Sequence, residues 1–180
     1  MKNIKVIIMD ICILIYVFIV ISLMFIFPTP PKLNKLNFDI QIKENGDIQV
    51  VEDWDISFDN NSTLYKNFEI DKSKFSKITN VSVKEIDKNN INEYKKINEY
   101  MYHLKRNTYY ALDLQNGWFE IAWGTEFSER KTRKNYQISY TIKDVITNYN
   151  DCSELYWQLL GENFNISEKK LMEKYLYQMV

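Results

Sequence analysis

Histidine, cysteine, proline and glycine are all scarce in this chain of 180 residues, which has 1, 2, 3 and 4 of them respectively. A lone histidine, His103, leaves the chain poorly equipped for a histidine-based metal site or a Ser-His-Asp triad. Four glycines are too few for a glycine-rich phosphate cradle. An excess of one charge is missing too: 23 Lys+Arg stand against 24 Asp+Glu, a formal net charge of -1. No global basic field therefore exists to hold nucleic acid, which is not an expected partner. No cofactor motif and no metal-ligand spacing is found. What is present is apolar matter, 46% of the residues, with much of it gathered in one block near the N-terminus. Charged residues at 26% are ordinary, so the remainder does not read as a disordered tail.

The apolar block runs from Val6 to Phe27. Its 22 residues, at about 1.5 Å each, match a hydrocarbon core of roughly 30 Å. Asp10 is its one charge and lies near the N-terminal end, where a carboxylate can stay at headgroup level. Lys2 and Lys5 precede it, so the positive-inside bias puts residues 1–5 in the cytoplasm and everything after Phe27 outside. The expected location is the cell membrane, with one pass and the bilayer itself as partner of residues 6–27. A cleaved signal peptide is the competing reading, but it has a shorter apolar core ending in small residues. Here the run meets Pro28-Thr29-Pro30-Pro31 instead, which stops a helix and starts a stiff linker over 28–35. Cys12 falls inside the apolar helix, which leaves Cys152 alone outside it, so no disulfide is available to the outer domain.

Beyond the linker the pattern changes to period two. Removing Lys2, Lys5 and Asp10 from the totals leaves 21 basic and 23 acidic residues there. Leu36, Phe38, Ile40 and Ile42 alternate with polar residues, Glu44-Asn45-Gly46-Asp47 supplies a turn, and alternation resumes through Phe58. Similar runs cover 64–70, 78–86, 109–114 and 118–127, with Asn116-Gly117 as a second tight turn. The run Tyr136, Ile138, Tyr140, Ile142 is the cleanest. The polar stretch 87–99 reads as a long hairpin excursion or loop. The expected fold is mainly β, an antiparallel sandwich over 36–166. Two helices are added: a short one opened by a capping box at Asp151–Glu154 and ended by Gly161, and an amphipathic one over 167–180.

Few residues stand out chemically. Glu52 occupies the apolar face between Val50 and Trp54, where a carboxylate must be paired, hydrogen-bonded or protonated. A structural ion pair with Lys66 on a neighbouring strand is favoured over a general acid of raised pKa. Asp53, Asp55 and Asp59 read as solvated strand charges rather than a Ca²⁺ site. His103 reads as an exposed strand residue and Ser153 has no histidine beside it. Arg130, Lys131, Arg133 and Lys134 form a basic run, either a solvated hairpin tip or, with Trp118, a binding surface for anionic headgroups or wall polymers. Trp54 and Trp123 alternate in phase with aliphatic residues and read as core.

Taken in order, these segments resemble a known family. They are the apolar span, then Gly46-x-x-x-Val50-x-Glu52, Trp118-Phe-Glu-Ile-Ala-Trp123, and Asp151-x-x-Glu154-Leu155-Tyr156-Trp157-x-x-x-Gly161. The stretch Leu36–Phe164 resembles the extracytoplasmic N-terminal domain of the bacterial predicted membrane proteins grouped as domain of unknown function 2207. That resemblance implies a β-rich domain outside the membrane with no assigned activity. The chain departs from the family pattern where Lys66 and Phe164 stand for Arg and Trp. It also ends at Val180, where members continue into further strands and membrane helices, so a truncated or minimal member is expected. The functional expectation is a non-enzymatic binding or assembly module whose partner is another envelope or membrane protein. The alternatives are a carboxylate-dependent hydrolase of envelope polymers using Glu52 or Asp151, and a secreted ligand binder released by signal cleavage.

Overall fold

The computed structural model describes residues 4–24, 31–59, 63–88, 90–125, 132–155 and 157. It separates into two units, 1–30 and 31–180. The first contains one helix, α1 (Ile4–Met24). Its described side chains run from 9 to 21 and are exposed, Phe18, Tyr16 and Leu14 most of all. Among the described residues no helix is long and apolar enough to cross a membrane. Of the transmembrane span expected over 6–27, residues 6–24 are helical, and 25–27 lie outside the described residues.

The second unit is built, among the described residues, from two main sheets and a two-stranded ribbon. The larger has the order β1-β2-β9-β4-β5, formed by β1 (Lys32–Ile42), β2 (Ile48–Phe58), β9 (Thr132–Lys143), β4 (Lys77–Asp87) and β5 (Asn90–Glu93). The smaller has the order β3-β8-β7-β6, formed by β3 (Thr63–Glu69), β8 (Trp118–Gly124), β7 (Thr108–Asp113) and β6 (Lys95–Lys96). All pairings in them are antiparallel except β6 with β7. Period-two alternation decides which residues face inward. Ile48, Val50, Glu52, Trp54, Ile56 and Phe58 of β2 are all buried, and Val50, Glu52 and Trp54 lie opposite Tyr140, Ile138 and Tyr136 of β9.

Inward residues of both sheets share one core. Trp54 meets Trp123 edge-on at 5.6 Å, Trp123 meets Tyr136 at 5.7 Å, and Phe68 meets Tyr140 at 5.1 Å. A smaller cluster of Leu104, Tyr110 and Ala122 lies on the other face of the smaller sheet, under the segment 97–106. Gly124 lets that segment approach: a Cβ there would sit 2.0 Å from the Lys105 carbonyl oxygen.

Two buried pairs have spacings that a regular strand does not allow. Leu33 and Leu36 are three apart, and Ile78 and Val83 five apart, yet each pair is inside. Register shifts between Leu33 and Lys35, and between Thr79 and Ser82, restore the phase. The second shift contains Asn80 at φ 51°, a left-handed conformation that asparagine tolerates. The two turns read from Asn45-Gly46 and Asn116-Gly117 close through glycines at φ 82° and 83°.

Several expectations need correcting. β1 begins at Lys32 with Leu33 already buried, so the domain starts inside the stretch assigned to the 28–35 linker. The polar segment 87–99 contains β5 and β6 and carries the chain from one sheet to the other through the buried Tyr94. The helix expected from Asp151 is instead a strand, β11 (Ser153–Leu155), paired with β10 (Ile146–Asn148). Leu155 and Trp157, two apart, both pack on the core, which is strand periodicity; Trp157 adjoins Phe75 at 5.3 Å. Tyr156, Gly161, Phe164 and the expected helix over 167–180 lie outside the described residues.

Candidate functional site

Three carboxylates on inward or edge positions collect the polar groups of the domain. The most enclosed is Glu52, with no exposed surface. Lys66 lies on the inward face of β3, in the opposite sheet, and forms an ion pair with Glu52 Oε1. Tyr140 OH donates to the same oxygen at 2.5 Å, and Trp54 Nε1 donates to Oε2 at 2.8 Å. The Lys66 ammonium also lies over the rings of Phe68, Tyr140 and Phe38, at 4.9, 5.7 and 5.8 Å from their centroids. Burial, followed by the neighbouring Glu52 carboxylate, pushes the Tyr140 hydroxyl well above its ordinary value of 10.0, so it remains a donor. Each partner comes from a different strand, and the carboxylate ties β2 and β9 to the facing β3. Chemically this is a closed clasp: every donor is aimed at the carboxylate, and the carboxylate has no surface to offer a substrate.

Glu85 forms the second cluster. It accepts from Lys134 Nζ at 2.9 Å and from Tyr94 OH at 3.1 Å. Burial, with Tyr136 and Glu85 close by, holds the Tyr94 phenol far above the usual tyrosine range. The sequence reading passed over Glu85, although the signal was the one that exposed Glu52. It stands in phase with the buried Val83 as Glu52 does with Val50. Asp47 anchors the third cluster, accepting from Lys143 Nζ at 2.6 Å, Asn45 Nδ2 at 2.8 Å and the Asp144 amide at 3.1 Å. Burial pushes its pKa up, but these donors outweigh that and hold it below the ordinary 3.8.

Among the described residues of the basic run, Arg133 and Lys134 are each engaged by a carboxylate and lie away from Trp118. Arg133 and Lys134 belong to β9, and Arg130 and Lys131 lie outside the described residues. Arg133 reaches Asp55 through Nε at 2.8 Å and Nη2 at 2.5 Å. Lys134 is engaged by Glu85. Trp118, half-buried at the start of β8, precedes Phe119; Phe119 adjoins Phe68, and Phe68 adjoins Tyr140. Arg133 lies seven residue steps from Tyr140, about 23 Å along β9, so Trp118 and Arg133 sit at opposite ends of the domain. Asp53 accepts from Gln137 at 3.0 Å, and His103 is exposed beside Tyr102.

Of the motif residues, Gly46 makes the β1–β2 turn and its carbonyl accepts from the Val145 and Ile146 amides. Val50 and Glu52 are core. Glu154 and Leu155 are in β11, with Tyr149 OH donating to Glu154 at 3.3 Å, and Asp151 is exposed in the preceding turn. Asp151 and Glu52 do not form a facing pair across a cleft, because Glu52 faces the interior. Among the described residues no group of three or more metal-ligating side chains gathers.

These features define a class: a β domain of two main sheets, joined across its core by the Glu52–Lys66 ion pair and preceded by an apolar N-terminal helix. Residues 32–171 match the family described as predicted membrane protein (DUF2207) N-terminal domain. The match covers well over half of the chain, and the protein belongs to that family. A comparison with curated proteins finds no match.

Proposed function

We propose that this protein is a single-pass, N-in membrane protein that displays its β domain outside the cell membrane, as a non-enzymatic binding or assembly module of the envelope. The apolar run 6–27, with lysines before it and none within, supports the anchor. Family membership supports the association with a membrane. The observation carrying the non-enzymatic reading is the state of Glu52. The carboxylate best placed for acid–base chemistry by sequence is enclosed and engaged by Lys66, Tyr140 and Trp54. A group so held serves architecture.

Two measurements test the reading. Alkaline extraction of membranes, with the mass of the mature N-terminus, separates anchor from cleaved signal: the full chain should stay in the pellet with its first segment intact. Cross-linking of the anchored protein in cells, followed by capture, should return a reproducible envelope or membrane partner. Recovery of none in repeated captures would remove the binding reading.

A further inference from the structure

One end of the β domain differs from the other. At the end where the chain enters β1, Lys32, Lys35, Lys88, Lys105, Arg106 and Arg133 are exposed, against Asp55, Asp59 and Asp87. Strand pairing puts them together: Lys32 lies opposite Ser57, Ser57 opposite Arg133, and Arg106 bridges Gly124, which lies opposite Thr63. At the other end the balance reverses, with Glu44, Asp71, Asp113, Asp144, Asp151 and Glu154 outnumbering Lys43, Lys72, Lys74 and Lys77. Among the described residues the charge of the domain is thus polarised along its strands. The basic end also presents Tyr102, 76% exposed, on a loop held by the Thr63 side chain, which donates to the Tyr102 carbonyl and accepts from the Leu104 amide at 3.0 Å. Tyrosine beside Lys and Arg is the composition of a membrane–water interface.

We propose that this end of the domain rests on anionic lipid headgroups, through Lys32, Lys35, Lys105 and the ring of Tyr102. The inference rests on the anchor reading above. The chain enters the β domain at the start of β1, at Lys32. The basic end lies there and the acidic end lies a strand length away. A Debye length of about 8 Å at physiological salt means only charges near the surface are felt. Charge complementarity with an anionic surface therefore favours the basic end over the acidic one.

The test uses the full chain in nanodiscs of phosphatidylcholine alone or with one-third phosphatidylglycerol, reading amide hydrogen exchange. Exchange over 101–107 should slow at least about fivefold in the anionic discs. The protection should vanish in about 0.5 M salt, where the screening length falls to roughly 4 Å. It should also vanish in a Lys32→Glu/Lys105→Glu variant, which alters two exposed side chains and leaves the core untouched. Equal exchange in both lipids overturns the inference, as does protection that survives both salt and charge reversal. Retention of the chain in the discs after a carbonate wash is scored separately. Loss of retention brings down the anchor reading and this one with it, whereas retention with unchanged exchange sinks this one alone.

Discussion

Replacing Lys66 by Met tests what holds the two sheets together. The substitution keeps the length and apolar stem of the side chain and removes only its charge. Glu52 would keep Trp54 Nε1 and Tyr140 OH as donors but would lose its cation while still fully buried. Breaking a buried pair from one side costs about 3–5 kcal/mol. The two remaining donors place the expected loss at the lower end, about 3 kcal/mol, or about 10 °C in Tm for a domain of this size. That is a large share of the roughly 5–15 kcal/mol available to a folded domain. The companion changes complete a cycle. Glu52→Gln alone leaves the Lys66 ammonium without a carboxylate among aromatic rings and should cost a similar amount. The double variant buries no charge and keeps an acceptor for Trp54 and Tyr140, so it should recover to within about 1–2 kcal/mol of wild type. Urea denaturation of the detergent-solubilised chain, followed by near-UV circular dichroism of the core tryptophans, reads all four corners. A coupling near zero, with the two single losses simply adding, would refute the claim that this pair is one structural unit.

Three further outcomes follow from the same geometry. Tyr140→Phe removes one donor from Glu52 without changing ring packing and should destabilise by about 1–2 kcal/mol in the same denaturation assay. Gly124→Ala drives a Cβ into the Lys105 carbonyl, so it should cost about 2–3 kcal/mol and speed hydrogen exchange over 101–107 while β2 and β9 stay protected. Asp55, hydrogen-bonded first by Arg133 and then by Asn34, is held below its ordinary 3.8. Its contribution is present above that value and disappears as pH falls through the lower folded-state pKa. Wild type should thus exceed Asp55→Asn by about 0.5–1 kcal/mol at neutral pH, discounted for the exposure of Arg133, and the two curves should converge in acid.

Much of the fold was legible because β2, β3 and β9 keep a strict two-residue period, and a period of two assigns faces without knowledge of neighbours. Glu52 and Lys66 were conspicuous for the same reason, as polar residues in apolar phase. The bulges at Leu33–Lys35 and Thr79–Ser82 were not legible, since an extra residue breaks the very signal that is being read. Ser153–Leu155 was misread because Asp-x-x-Glu ahead of an apolar run satisfies helix capping locally, whereas pairing with Ile146–Asn148 decides the matter from outside the segment. The donors to Glu52 depended on register. Tyr140 lies 88 residues downstream, and nothing local to either residue announces the bond.

The place of β9 in the larger sheet carries a consequence for biosynthesis. It lies between β2 and β4, yet it is made after both of them and after every strand of the smaller sheet. Until Thr132–Lys143 emerges, the first hairpin and β4 have no neighbour to join them, and their greasy faces stay wet. Non-local closure of this kind is slow and leaves a nascent chain prone to sticking. A chaperone shielding the first hundred residues until then would meet that need, and release would come when the late strand slides into the gap.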